Sequence, residues 1–295
     1  MNEYFLSCPR GLEKITSEQI SNYIDNPITI DRGGVSFNGS NKDMYTVNLH
    51  SRTGMRLLKT LFSFSICNPN NIYKAIYDLN WTNIINVKDT FLIKTKLKTT
   101  LFNNSNHTTL IIKDAIVDNI RKKCGSRPSI NKIAPDIALF VFINENKIKI
   151  YQDTSGDALF KRGYRTRIHK AALNESLAAG LILLSKWSKK NNFYDIMCGS
   201  GTIPIEAAMI AFNIAPGLFR NTFAFQKYKN YNNTLWNNLL EKAKNNINMN
   251  DDVKIFGSDH IKKNIELAKH SSKKIGLGKN ITFSISDINN INPNK

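Results

Sequence analysis

The sequence predicts an α+β first half followed by an α/β second half built on a parallel sheet. Three observations carry that expectation. Up to about residue 156, strand-like runs and helical stripes mix without a regular order, as in α+β domains. From about residue 171 the order becomes strand, helix, strand, helix, strand, the pattern of a doubly wound parallel sheet. The 295 residues suit about two domains at roughly 100–200 residues each, and 41% hydrophobic residues are enough to build their cores.

In the first half, Tyr4–Ser7 reads as a strand and Pro9–Gly11 as a turn. A helix follows, with Leu12, Ile15, Ile20 and Tyr23 on one stripe. Ile28–Ile30 and Gly34–Phe37 read as strands about the Asp31–Gly33 turn. Met44–Leu49 is an apolar stretch. Ser51–Ser63 is a strand or helix whose edge carries Arg52, Arg56 and Lys59. Ile72–Tyr77 reads as a helix closed by Trp81. Phe91–Thr99 alternates, with Phe91, Ile93, Thr95 and Leu97 on one face and Lys94, Lys96 and Lys98 on the other. Thr108–Lys123 reads as a helix whose last-turn cations suit its dipole and whose end is set by Gly125. Ala138–Ile143 and Lys147–Asp153 read as strands joined at Asn144–Asn146.

Charge narrows the function classes. Against 23 acidic residues stand 41 Lys and Arg, a formal net of +18, which favours a polyanionic partner. A membrane partner needs an apolar run of about 18 residues or a basic amphipathic helix, and neither is read in the sequence. The start, MNEYFLSCPRG, lacks the charged-then-apolar order of a signal peptide. Nucleic acid and a cytoplasmic location are therefore expected. The four cysteines, Cys8, Cys67, Cys124 and Cys198, form no CxxC pair, so neither a metal site nor a disulfide framework is expected. The densest basic stretch is Asp157–Lys170. Lys161, Arg162, Arg165 and Arg167 there interleave with Phe160 and Tyr164, a combination that suits phosphate contact and base stacking. A solvated linker is the competing reading.

In the second half, Leu173–Trp187 reads as a long helix, Asn192–Met197 as a strand, Cys198–Thr202 as a loop and Ile203–Phe212 as a helix. Lys254–Gly257, Lys263–Ser272 and Asn280–Ser286 then read as strand, helix and strand. The chemistry is expected at the loop. Asp195 lies late in its strand, and Gly199, Ser200 and Gly201 turn the chain into a helix with Pro204 in its first turn. The loop has no Lys after its glycines, which excludes a Walker A loop. It has Pro204 where a dinucleotide fingerprint wants its third Gly. It suits a ligand with an amino-acid end and an adenosine end, and S-adenosylmethionine is such a ligand. Asp195 and the amides of Cys198–Thr202 would hold its ammonium and carboxylate. Asp259, after the second strand, would accept both ribose hydroxyls, and Asp287, after the third, the adenine amino group. Cys198 is expected to fill the turn rather than to act as a nucleophile. The interval from Asp195 to Asp259 far exceeds the roughly 20 residues of simple dinucleotide folds. Its excess, Ala215–Asn250, reads as an inserted helical segment containing APGLFR.

Several strings carry a resemblance across nearly the whole chain, in order: CPRGLE near the start, KDAIVD at 113–118, GSRPSI at 125–130, PD at 135–136, DTSGDALFKRGYR at 153–165 and DIMCGSGTIPIEAAMIAFNIAPGLFR at 195–220. The chain resembles the THUMP-domain RNA guanine-N2 methyltransferases, especially the bacterial type acting on 23S ribosomal RNA. The resemblance implies a ferredoxin-like part over 1–50, a THUMP RNA-binding domain over 51–156, a basic linker over 157–170 and a Rossmann-like class I methyltransferase domain over 171–295. It implies S-adenosylmethionine as cofactor, Glu175 near it, and RNA contacts from Lys113 and Arg127 besides the linker cations. The sequence departs from the family at Ile196, where the family has Pro, and at Ala172, Asn174 and Ser176, where it has Pro, Lys and Asn. The family's catalytic Asn/Asp-Pro-Pro-aromatic motif sits on a fourth strand, and INPNK at 291–295 matches it poorly. The motif is therefore expected beyond Lys295, and no catalytic residue is assigned within the chain. The methyltransferase domain is thus expected to be incomplete at its C-terminus and the chain inactive alone. A non-catalytic THUMP RNA-binding protein, a transfer-RNA methyltransferase and a DNA adenine methyltransferase are the alternatives.

Overall fold

The structure, a computed structural model, describes residues 1–165, 173–249 and 253–290. The first half runs β1 (Asn2–Ser7), α1 (Glu13–Ser21), β2 (Ile28–Asp31), β3 (Gly34–Gly39), α2 (Asn41–His50), β4 (Arg56–Ser65), α3 (Ile72–Tyr77), β5 (Thr90–Lys98), α4 (Ser105–Cys124), β6 (Ser129–Ile130), β7 (Ile137–Asn144) and β8 (Lys147–Asp153). Among the described residues these strands form one eight-stranded sheet, ordered β2-β3-β1-β4-β8-β7-β5-β6. β4 joins its two wings. Arg56–Lys59 pair antiparallel with β1, and Leu58–Ser65 pair antiparallel with β8. Only β5 pairs parallel, with β6 and β7.

Two stretches left open by periodicity are decided here. Met44–Leu49 lies within α2, because Ser40 and Asp43 close a reciprocal capping box at its start. Ser51–Ser63 divides into a turn at 51–55 and the strand β4. Arg52, expected on a cationic edge, is instead buried in that turn and donates to the carbonyls of Met209 (3.2 Å) and Ile214 (3.0 Å). β5 keeps its expected inward side, with Phe91 and Ile93 buried against Ile112, Ile116 and Ile120 of α4. α4 ends at Gly125, whose φ of +74° makes it the left-handed cap.

The second half runs α5 (Glu175–Leu184), β9 (Phe193–Asp195), α6 (Thr202–Ala211), α7 (Asn233–Asn245), β10 (Ile255–Asp259), α8 (Lys262–Lys274) and β11 (Ile281–Ile285). Its strands form a parallel sheet ordered β11-β10-β9. α5 is shorter than its apolar run. Asn174 starts it by accepting from the Ser176 and Leu177 amides, so the Asn found in place of the family's Lys serves as the N-cap. β9 is shorter than expected too, since its registered partners are only Ile255–Gly257 of β10.

The segment expected as a helical insert contains 3₁₀ turns at Pro216–Phe219 and Ala224–Lys227, then α7. Most of it packs on the first half, while Leu218, Phe219 and Ile247 also pack against the core of the second. Phe223, Phe225, Trp236 and Ala243 share a core with Tyr4, Leu6, Tyr45 and Leu57. Tyr45 packs tilted against Phe225 with ring centroids 4.6 Å apart and meets Trp236 edge-on, while its hydroxyl accepts from the Asn232 amide at 2.9 Å.

Candidate functional site

β9, β10 and β11 are parallel and adjacent, so their carboxyl ends share one edge. Asp195 and Asp259 are the last residues of β9 and β10, and Asp287 follows β11 by two. Between β9 and α6 the Cys198 amide donates to the Ser258 carbonyl (2.8 Å), and the Gly201 amide turns back to the Cys198 carbonyl (2.9 Å). Gly199 and Gly201 have φ of +53° and +80°. A Cβ on Gly201 would lie 2.7 Å from the Ala268 Cβ, whereas one on Gly199 would meet open space. Gly201 is therefore set by packing against α8, and Gly199 by the turn alone. Gly201 offers α6 no side-chain cap, so the first amides of that helix remain open to an anionic group. Ser200 is half-buried in the turn and Thr202 is buried at its end.

Asp259 holds the turn. Its Oδ2 accepts from the Gly199 amide (3.0 Å), and its Oδ1 from the Ile261 amide (2.8 Å) and Asn264 Nδ2 (3.1 Å). A carboxylate has roughly four acceptor sites, so Asp259 has room for one ribose hydroxyl, and both are expected only if a protein donor lets go. The Asp195 carboxyl is pushed up by burial, with Asp259 adding to the rise and the Met197 amide opposing it. Burial, then Asp195 and Asp259, push the Cys198 thiol up to about 12, which suits a turn filler and not a nucleophile. Asp287 is exposed, and its Oδ1 accepts from both the amide and Nδ2 of Asn289. It shares the strand-end edge but is engaged in its own local turn.

Glu175 stands behind the loop. It is buried at the start of α5 and pairs with Arg165 at 3.3 Å, while Arg165 also donates to the Thr202 hydroxyl and the Leu173 carbonyl. Burial pushes the Glu175 carboxyl up and Arg165 opposes this. Its Oε2 finds no partner among the described residues. Arg165, expected to face RNA, thus joins the linker to the starts of α5 and α6.

The other linker residues need correction. Arg162 is 1% exposed, pairs with Glu206 at 3.5 Å, and donates to the carbonyls of Leu159 (2.7 Å) and Arg52. Tyr164 is equally buried, its hydroxyl donating to Glu206 at 3.2 Å. Neither side chain is free to meet RNA, because Glu206, buried on α6, requires them both. Lys161 is exposed but pairs with Asp157 at 2.8 Å. Arg167 lies outside the described residues. So does Lys295 with the rest of INPNK, and the expectation of a catalytic motif beyond Lys295 accordingly meets no structural observation. Among the described residues the parallel sheet has β9, β10 and β11 and no fourth strand to carry such a motif. Lys113 pairs with Asp114 on α4, and Arg127 is exposed beyond that helix.

Sequence reasoning missed Arg220 as a structural cation. It donates to the carbonyls of Ala158 (2.7 Å), Asp157 (2.8 Å), Lys161 (3.0 Å) and Ser155 (3.2 Å) and lies over the Phe223 ring. Burial lowers its pKa to about 10. The available signal was a lone Arg among the apolar residues of APGLFR.

Comparison with known proteins follows this division. Residues 3–58 match an RlmL ferredoxin-like domain, 68–153 a THUMP domain, and 162–295 an RMKL-like methyltransferase domain. Two curated relatives carry the name Ribosomal RNA large subunit methyltransferase K/L. The one from Buchnera aphidicola subsp. Acyrthosiphon pisum is 36% identical over 99% of this chain, and the one from Buchnera aphidicola subsp. Schizaphis graminum is 37% identical over 83%. The chain spans 42% and 35% of their respective lengths. Among solved structures, SMU.472 complexed with SAH superposes with a TM-score of 0.90 at 26% identity, over 100% of this chain and 78% of that one. A protein of Listeria monocytogenes str. 4b F2365, described as a predicted N6-adenine-specific DNA methylase, gives 0.89 at 28% identity, over 99% and 76%. TrmN from Thermus thermophilus shares the fold, with a TM-score of 0.67 at 15% identity over 97% and 74%. No helix among the described residues is long and apolar enough to cross a membrane.

Proposed function

Because the chain joins an RlmL-type ferredoxin-like domain and a THUMP domain to an RMKL-like methyltransferase domain, we propose that it serves the S-adenosylmethionine-dependent methylation of RNA. The names of the curated relatives support large-subunit ribosomal RNA as the substrate, and such a substrate supports a cytoplasmic location. The resemblance in the sequence supports a guanine N2 amine as the methyl acceptor.

The observation that carries this reading is the pair of strand-end carboxylates, Asp195 and Asp259, on either side of a glycine turn that leads into an uncapped helix. The residues present fit the cofactor. The open amides at the start of α6 suit its carboxylate, and Asp195, partly desolvated and held among the described residues by the Met197 amide, suits its ammonium group. Asp259 offers its remaining acceptor site to the ribose. Asp287, two residues past β11 on the same edge, would meet the adenine amino group, for which its side chain must leave Asn289. When bound, S-adenosylmethionine would supply an electrophilic methyl group on its sulfonium for transfer to the amine. The contribution of the protein residues is to hold the reacting groups in position, and the base must leave its stack to be reached.

Equilibrium binding of labelled S-adenosylmethionine to the 295-residue chain tests the reading. Binding is expected, and Asp195→Ala should weaken it roughly tenfold or more, the scale of one charge-assisted hydrogen bond at about 1.5–3 kcal/mol. A chain that binds structured RNA but no S-adenosylmethionine would instead be a non-catalytic RNA-binding module. Equal affinity for duplex DNA and structured RNA at matched salt would favour the DNA alternative.

A further inference from the structure

α3 presents two stripes. Ile72 and Ile76 are buried in the core beneath it, while Tyr73 and Tyr77, also four residues apart, form an outer stripe. Their rings stack at 6.0 Å and 18°. Tyr77 packs partly on the core, but Tyr73 stands exposed. Beside them, on the last turns of α4, lie Asp118, Arg121 and Lys122, and together with Lys74 these residues line a cleft of about 440 Å³.

The groups in the cleft hold one another in place. The Tyr73 hydroxyl donates to Asp118 at 2.8 Å, which fixes the ring across the α3–α4 interface. Asp118 also pairs with Arg121 at 2.7 Å, so the one carboxylate is satisfied from within. Lys122 lies 6.0 Å from the Tyr77 ring centroid. Three cations thus face one neutralised acid around an exposed, immobilised aromatic ring. A rigid ring loses little entropy on binding, and stacking on aromatic side chains with nearby cations is how proteins hold unpaired bases. An acidic peptide would be drawn by the cations but has no use for a flat platform.

We propose that the cleft between α3 and the end of α4 binds one unpaired nucleotide of the RNA, its base stacked on Tyr73 and its phosphate set against Lys74, Arg121 and Lys122. This rests on the RNA reading above and adds to it a subsite and a preference for single-stranded over paired nucleotides. The subsite is separate from Lys113, which lies five residues before Asp118 and about 140° round α4.

The test compares a labelled RNA hairpin carrying a short single-stranded extension with the same hairpin blunt-ended, each titrated against the 295-residue chain. The wild type should prefer the extended hairpin. Tyr73→Ala should weaken the extended hairpin roughly tenfold, the scale of one lost base–aromatic stack, and leave the blunt one within about twofold. Tyr73→Phe, which keeps the ring but not the bond to Asp118, should recover most of the loss. A 5-bromouridine in the extension should crosslink to Tyr73 on irradiation. Tyr73 is exposed, so its substitution should not unfold the chain, and a thermal melt of each variant checks this. Tyr73→Ala weakening both hairpins equally, or neither, overturns the subsite while leaving the RNA reading intact. Failure of the wild type to bind either hairpin sinks the RNA reading and the subsite with it. Displacement of the extension by a short poly-glutamate peptide as readily as by unlabelled RNA also overturns the proposal, in favour of an acidic protein partner.

Discussion

A few side chains in this protein have roles that their type would not announce. Asp259 is at once the strand-end acid of a nucleotide site and the residue that ties the glycine turn to the start of α8, through Gly199, Ile261 and Asn264. Cys198, a thiol in a ligand loop, is kept protonated by burial and by two neighbouring carboxylates. His50 is another case. Burial first, then Arg52 and Lys242, lower its pKa from 6.5 to about 4, while its ring stacks on Tyr23 at 4.4 Å. Between those two values the unfolded chain binds a proton that the folded protein refuses. Stability is therefore present in full above about pH 6.5 and is lost as pH falls toward 4. Urea midpoints measured across that range should decline for the wild type and decline less for His50→Phe, which keeps a ring on Tyr23 without the titration. Identical slopes for the two proteins would show that His50 does not carry the effect.

At the scale of elements, the segment between α6 and β10 is the main surprise. It is long enough to look like an insertion in the second half, yet most of its buried apolar residues complete the core of the first. Trp236 is 4% exposed and meets Tyr45, Phe223 and Phe225 edge-on. Trp236→Ala should cost about 3–5 kcal/mol, as removal of a buried aromatic does. The cost should appear where the packing is, as faster amide hydrogen exchange in α2 rather than in α6. Arg220 fastens the same segment to the loop at 155–161 through four carbonyls. Protection lost in α6 instead would mean that the segment belongs energetically to its own sheet.

Across the whole molecule, the two halves meet through buried charge. Arg52 comes from the turn before β4, Arg162 from the linker and Glu206 from α6, and all three are buried. Burial raises the Glu206 carboxyl, and Arg162 and Arg52 oppose that rise. Such a cluster adds little net stability over a well-packed apolar one, but breaking it on one side leaves a buried charge uncompensated. Glu206→Leu should therefore destabilise by about 3–5 kcal/mol, and adding Arg162→Met should recover part of that loss. A double-mutant cycle in urea measures the coupling. Additive losses would mean that the two residues do not interact across the junction. Because the network and the α7 core both cross from one half to the other, the chain should melt in a single transition.

What the sequence determined by itself is the strand–turn–helix around Asp195 and Gly201, the strand-end place of Asp259, and most of the succession of elements, with Met44–Leu49 and Ser51–Ser63 left open. These rest on local features: period, turn chemistry, and the few residues a tight turn tolerates. The same locality explains why Ile72–Tyr77 was legible as a helix while its outer tyrosine stripe was not legible as a platform, since the stripe needs Asp118 and Arg121 of α4 beside it. Only the tertiary structure decided that Arg162, Tyr164 and Arg165 face inward. Their charge and aromaticity read equally well as a surface for nucleic acid, and the choice was made by Glu206, Glu175 and Thr202, which the fold brings up from distant elements. A cation is committed to the interior by the carboxylate it must neutralise there, and the identity of that carboxylate is a property of the packing, not of the surrounding sequence.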